Sequence, residues 1–410
     1  MFNSNTSKEA DESIWVPCLS QIQSKMMPHA RNKKICFVGL DNYPIINPDR
    51  SELYIGGESV QQTLLARAFR DAGFTVSMIV KDFGQEQGEC IDNINVWKTF
   101  AQEDGLPVLR YFHPRISSIW KALHLADAGI YYQSCAGMLT GIVAAFCQRY
   151  GRRFVFRVAH DTDCIPGEQL IHIWRDRKIY EFGLRRADLI ASQGAHQVTL
   201  LKKHYGLSSV SINMAVEAPS TEQQRNRDID VLWINNIRDF KKPELVLELA
   251  EYLPEVNFTM IGGKVLGHEE LFSHITEEAE SRSNLNFLGA LPYHEVNEYI
   301  SRAKVFINTS DTEGFPNSFL QSWIRCVPVI SFFDPDGLIK SENLGIVPSD
   351  LKGMGESIRQ ILANETNRLA IGELAAKYTK LNYGAGAVTE KYVALLDGKR
   401  SRDKGTTHVD

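Results

Sequence analysis

The 410-residue chain has no Cys-x-x-Cys pair, and its seven cysteines (Cys18, Cys36, Cys90, Cys135, Cys147, Cys164 and Cys326) are scattered. A disulfide framework would pair such residues and a zinc site would cluster them with histidine, so neither is expected. Cysteine inside apolar runs such as Ile35-Cys36-Phe37 behaves as a small buried hydrophobe, which suits a reducing cytoplasm. The first thirty residues lack a basic segment followed by a long apolar run, so no signal peptide is expected. An uncharged stretch from Ala128 to Cys147 is long enough to cross a bilayer. It contains Gln133, Ser134, Thr140 and three glycines, however, and reads instead as a buried strand followed by a buried helix.

A surplus of either charge is also missing. The formal net charge of −5 argues against a polyanion binder. Residues 1–215 carry 24 Lys/Arg against 21 Asp/Glu and the remainder 21 against 29, a mild asymmetry that leaves the first half the more basic. Two nucleotide fingerprints are absent. The first strand runs into Gly39-Leu40-Asp41-Asn42 rather than G-x-G-x-x-G, and no G-x-x-x-x-G-K-[ST] occurs, which removes the main support for a nicotinamide dehydrogenase or a P-loop ATPase.

What is present is alternation. Apolar runs at 33–40, 74–80, 94–97, 130–132, 154–158, 189–192 and 210–212 read as buried strands, most of them separated by helical spacing such as Val60, Leu64, Leu65, Ala68 and Phe69. The charged, Pro-containing stretch Glu217 to Asp228 reads as a linker. Alternation restarts with strands at 231–234, 258–261, 285–288, 305–307 and 327–330, and from about Ser357 the chain is mostly helical. The fold class is therefore α/β, with two doubly wound domains and a cleft between them.

Three clusters sit where such domains bind ligands. Gly56-Gly57 precedes the first long helix, where glycine lets backbone N–H groups approach a phosphate; a tight turn is the plainer reading. Arg238 to Pro243 follows a strand, with Arg238 offering a guanidinium fork and Lys241 a point charge, unless this is simply a solvated basic loop. Asp311 to Gln321 follows another strand: Glu313 ends a loop, Gly314 permits close approach, and a helix begins near Pro316. A carboxylate and an amide beside a helix start suit a ligand bearing both sugar hydroxyls and phosphate.

Together, Arg238-x-x-Lys241, Glu313-Gly-Phe-Pro-Asn-Ser318 with Gln321, Pro328-Val-Ile330, Val158-Ala-His-Asp161 and the Gly-Gly loop resemble glycosyltransferase family 4 along nearly the whole chain. The resemblance implies a GT-B fold, with a flexible tail over 1–30, an acceptor domain over 31–217 and a nucleotide-sugar donor domain over 218–382. A helix over 383–398 packing back on the first domain and a disordered tail over 399–410 complete the expected layout. It further implies Glu313 and His160 as catalytic residues. Gly56, Gly57, Arg238, Lys241, Gly314, Phe315, Asn317 and Ser318 would hold the donor diphosphate, the last four through backbone amides, and Gln321 the donor ribose. The family has a second glutamate where this chain has Gln321, which exchanges a charge-assisted hydrogen bond for a neutral one, weaker by about 1 kcal/mol.

The implied activity is retaining transfer of a sugar from a UDP- or GDP-sugar to a glycan or lipid-linked acceptor, in polysaccharide or glycoconjugate synthesis, without metal or other cofactor. No Asp-x-Asp motif stands in a donor loop; Asp161-Thr-Asp163 has the spacing but reads as a loop cap. Basic residues between Arg149 and Arg186, Arg153 and Arg157 among them, fit either contact with the inner face of a membrane from the cytoplasm or a solvated helix face. Nucleic acid is not an expected partner. A sugar-nucleotide epimerase of the same fold, or a non-catalytic nucleotide- or glycan-binding relative, are the alternative readings.

Overall fold

A computed structural model describes residues 33–47, 56–101, 103–105, 112–219, 226–310 and 313–403; the N-terminal tail call over 1–30 lies outside them. The first sheet contains β1 (Lys34–Val38), β2 (Thr75–Val80), β3 (Glu89–Ile91), β4 (Ile94–Lys98), β5 (Ile130–Ser134), β6 (Arg153–Arg157), β7 (Leu189–Ser192) and β8 (Val210–Ser211), in the order β3-β4-β2-β1-β5-β6-β7-β8. The second contains β9 (Ile229–Ile234), β10 (Phe258–Ile261), β11 (Leu285–Phe287), β12 (Ala303–Asn308), β13 (Val329–Ser331) and β14 (Gly345–Ile346), in the order β11-β10-β9-β12-β13-β14. Every pairing is parallel except β3 with β4.

The longer helices of the first domain are α1 (Gly57–Asp71), α2 (Ser117–Ala126), α3 (Met138–Tyr150), α4 (Trp174–Leu184) and α5 (Ala195–Tyr205). The second domain adds α6 (Glu244–Tyr252), α7 (Glu269–Glu280), α8 (Tyr293–Arg302), α9 (Asn317–Trp323), α10 (Leu351–Ala363) and α11 (Glu365–Tyr383), before α12 (Ala385–Asp403) ends the described chain. Both faces of each sheet are covered, which explains why the strands read as continuous apolar runs rather than alternating ones. In β1, Ile35 and Phe37 enter the core beneath α1, while Cys36 and Val38 enter the core on the opposite face with Leu123 of α2 and Phe146 of α3.

The chain crosses between domains twice, and the two crossings are tied together. Val216 N–H donates to the Tyr383 carbonyl at 2.8 Å, Ala385 N–H donates to the Val216 carbonyl at 3.0 Å, and Asn213 Nδ2 donates to the Asn382 carbonyl at 2.9 Å. Helix α12 then returns to the first domain, where Val388, Tyr392 and Leu396 are buried in the core shared with α1. It continues to Asp403, so residues 399–403 are helical rather than part of a tail, and 404–410 lie outside the described residues.

The basic residues also divide. Arg157 is 2% exposed, donating from Nη1 to the Ile212 carbonyl and to the Tyr392 hydroxyl, and Arg153 Nη1 reaches the Leu396 carbonyl at 2.6 Å. Both arginines anchor α12, so neither belongs to an exposed acceptor-binding or membrane-facing set. They lie on β6, an interior strand with neighbours on both edges, which turns even a charged side chain inward.

Candidate active site

In an open α/β sheet, ligands bind beyond the carboxyl ends of the strands where the strand order reverses. That point lies between β9 and β12 in the second domain and between β1 and β5 in the first. The β9–β12 register pairs Trp233 with Ile307, so the loops leaving these strands emerge side by side. One carries Arg238 and Lys241, the other Glu313.

These two loops are fastened to each other. Buried Trp233 donates from Nε1 to Thr309 Oγ1 at 2.9 Å, and Thr309 Oγ1 donates to the Lys241 carbonyl at 2.7 Å. The Lys241 ammonium donates directly to Glu313 Oε1. The same oxygen accepts from Ser310 Oγ at 2.7 Å and Asn308 Nδ2 at 3.4 Å. Only 13% of the lysine side chain and 10% of the glutamate are exposed, so the pair is largely out of water. Burial pulls the ammonium below its ordinary range, the Glu313 carboxylate opposes that fall, and Arg238 adds to it. Arg238 itself starts a short turn, with its guanidinium 6.0 Å from the Phe240 ring centre.

The first domain supplies the opposite wall. Helix α1 begins at Gly57, with Gly56 as its cap. Asn317, the first residue of α9, donates from Nδ2 to the Gly57 carbonyl at 2.8 Å and accepts from Gln61 Nε2 at 2.8 Å. A Cβ on residue 57 would lie 2.8 Å from that Nδ2, so the glycine makes room for a side chain from the other domain. A Cβ on residue 314 would lie 3.5 Å from Gln193 Oε1 and 3.6 Å from the Ala159 carbonyl, which places the Glu313 loop against the strand end that carries His160.

His160 is exposed, and its backbone is held firmly: Asp163 Oδ2 accepts from the Ala159 and His160 N–H groups at 3.2 and 3.1 Å, and Gln193 Nε2 donates to the Ala159 carbonyl at 3.1 Å. Asp163 thus serves the 3-10 turn Asp161–Cys164.

The remaining candidates are distributed. Ser318 is the second residue of α9. The Phe315 ring leaves the cleft for the hinge, 5.3 Å from Tyr383 and 6.4 Å from Trp323. Gln321 opens on a cavity of about 310 Å³ with Tyr293, Asn297, Arg325 and residues 216–219. Its Nε2 approaches Asn297 Oδ1 at 3.4 Å, and its carbonyl accepts from Arg325 Nη1 at 3.0 Å.

Sequence reasoning passed over Glu58. This residue follows Gly57 in the first turn of α1 but caps nothing. Its Oε1 is shielded from solvent without a hydrogen-bond partner, and the carboxyl lies close to Ser134 at the end of β5 and to Arg157, His160 and Asp163. Burial, the largest influence, raises its pKa. The available signal was a carboxylate directly after a glycine pair, which reads as an ordinary helix-dipole partner.

Residues 217–378 match the family model described as glycosyl transferases group 1. None of the curated proteins matches the chain. Among solved structures, sucrose-phosphate synthase from Thermosynechococcus elongatus superposes with TM-score 0.70 at 14% identity, covering 90% of this chain and 99% of that one. HepE from Anabaena, in complex with UDP and glucose, gives 0.67 at 13% identity over 89% and 99%. The catalytic domain of starch synthase IV from Arabidopsis thaliana, bound to ADP and acarbose, gives 0.66 at 11% over 90% and 99%. The fold is GT-B, the second domain matches the glycosyl transferases group 1 model, and the chain is a glycosyltransferase.

Proposed function

We propose that this glycosyltransferase works with retention of configuration, moving a sugar from a UDP- or GDP-sugar to a glycan or lipid-linked acceptor without a metal ion. The observation that carries the reading is the Lys241–Glu313 pair at the second domain's switch point, in a loop that meets Ala159, the residue before His160, at Gly314. Sugar transfer requires a departing diphosphate to be stabilised and a sugar with developing positive charge to be held. Arg238 and Lys241 supply fixed positive charge for the first task, which is the role a metal would otherwise fill. The Glu313 carboxylate, oriented by Ser310 and Asn308, is positioned for the second. His160 contacts the sugar from the acceptor side, and the backbone amides of Gly314, Phe315, Asn317 and Ser318, with Gly56 and Gly57, complete the diphosphate site. Gln321 in its polar cavity takes the ribose. The neighbours bound to UDP and to ADP support a nucleotide-diphosphate ligand for this architecture.

The acceptor belongs to the first domain, and the protein works in the cytoplasm in polysaccharide or glycoconjugate synthesis, resting against the membrane's inner face. Leu170, Ile173 and Trp174 are 71, 54 and 71% exposed, next to Arg175 and Lys178, a combination suited to an anionic lipid surface. Among the described residues no helix is long and apolar enough to cross a membrane. Absence of co-sedimentation with phosphatidylglycerol vesicles at low salt would remove the membrane contact.

A thermal-shift panel with UDP, GDP, ADP and dTDP and their sugar conjugates tests the donor reading. A ligand at 100 times its dissociation constant adds about 2.7 kcal/mol, enough to raise the melting temperature by a few degrees. A shift confined to one nucleotide supports the reading and names the base; a flat response to all of them refutes it.

A further inference from the structure

On the reading above Lys241 and Glu313 serve different parts of the donor, yet in the structure they are bonded to each other. We propose that Glu313 selects the sugar-loaded donor over the free nucleoside diphosphate, by holding Lys241 until a sugar arrives to take its place; this rests on the donor reading above. The carboxylate is buried and gathers three donors on one oxygen: Lys241, Ser310 and Asn308.

A diphosphate that recruits Lys241 must take away the cation of that set and then lie beside a carboxylate that has lost its counter-charge. Two anions brought together in a poorly solvated site repel strongly, and an unpaired buried charge is expensive. A sugar-linked diphosphate offers compensation, because its hydroxyls donate hydrogen bonds to the vacated carboxylate oxygen. Free nucleoside diphosphate carries no such donors and one more ionisable phosphate oxygen. The pair therefore admits the loaded donor and resists its product. Once the sugar has moved to the acceptor, Glu313 recaptures Lys241 and the nucleoside diphosphate loses its ammonium contact, which favours release.

A pair that merely oriented Lys241 would behave in the opposite way: removing the carboxylate would loosen the lysine and weaken diphosphate binding. The distinction is open to calorimetric titration of the full chain with UDP, GDP, ADP and dTDP, and with the glucose conjugate of each. The nucleotide that binds the wild type should bind Glu313→Gln at least tenfold more tightly, while its glucose conjugate gains less, so that the preference for the conjugate falls. Equal or weaker nucleotide binding in Glu313→Gln overturns the proposal and leaves the donor reading standing. If neither protein binds any of the eight compounds, the donor reading falls and takes the proposal with it. Should Glu313→Gln fail to fold, Ser310→Ala gives an independent answer. With one competing donor removed, the carboxylate relies more on Lys241 and free nucleotide binds less tightly than in the wild type; tighter binding overturns the proposal.

Discussion

The two walls of the cleft each present a carboxylate, and they treat it differently. On the second domain, Glu313 is held by an ammonium, a hydroxyl and an amide from the end of β12 and the loops leaving β9 and β12. On the first domain, Glu58 lies beside Ser134 and leaves Oε1 buried without a hydrogen-bond partner. The first arrangement fixes a charge in place before any ligand arrives, which is what electrostatic stabilisation of a transition state requires. The second holds hydrogen-bonding capacity in reserve, at a cost in stability, on the wall assigned to the acceptor. On the proposed reading, one wall serves a constant chemical task and the other meets the acceptor.

The largest effect should come from the second wall. Glu313→Ala is expected to lower transfer by about 10²–10³-fold, the scale seen when a preorganised electrostatic group is removed from an active site. Far-ultraviolet circular dichroism should be unchanged, because Glu313 lies in a loop outside the four cores. Product formation measured with the nucleotide sugar chosen by thermal shift checks this, and wild-type rates in the variant would separate the pair from catalysis altogether.

A smaller effect of opposite sign is expected on the first wall. Burial raises the Glu58 pKa above its ordinary value of 4.5, so the folded protein resists an ionisation that the unfolded chain undergoes freely. Glu58 therefore contributes its full stability below pH 4.5, and that contribution is lost as the pH rises through the folded-state value. Glu58→Gln, which cannot ionise, should melt with the wild type at pH 4 and become progressively the more stable of the two toward pH 8. Melting curves at pH 4, 6 and 8 decide the matter: a constant gap would mean that the carboxyl is not strained by burial, and the contrast between the walls would disappear.

The same contrast explains what could be read from the sequence. The second wall was legible because its groups are local: Arg238 and Lys241 occupy one short turn, and Glu313 follows its strand by five residues. Most strands of both sheets were legible for a similar reason, since parallel strands covered on both faces produce compact apolar runs. Strands β3 and β14 were not, because Glu89-Cys90-Ile91 and Gly345-Ile346 lie at sheet edges, are too short for a pattern and bury little. Beyond Gly56, Gly57 and His160, the first wall was illegible because it is assembled from distant segments. Nothing near Glu58 announces Ser134, and nothing near Arg157 announces the Tyr392 hydroxyl that turns it from a surface cation into the anchor of α12. Asn317 shows the limit most clearly, since its sequence context points to a backbone amide for phosphate while the structure gives its side chain a second task.

That side chain joins the walls, and its removal should have the smallest effect of the three. Asn317 donates to the Gly57 carbonyl and accepts from Gln61, whose own amide both accepts from the Ala215 N–H at 2.8 Å and donates to the Ala215 carbonyl at 2.9 Å. The start of α9 is thereby linked through α1 to the first crossing between the domains. Each such bond contributes about 0.5–1.5 kcal/mol, less where water can replace it, as at this partly exposed position. Asn317→Ala should therefore leave the melting temperature within a few degrees of the wild type. It should raise the donor KM by about three- to tenfold while changing kcat little, because the cleft closes less readily around a bound ligand. A change in kcat at constant KM would place Asn317 with Glu313 in the chemical step, and the cleft would then have one wall reaching across to the other for catalysis rather than for closure.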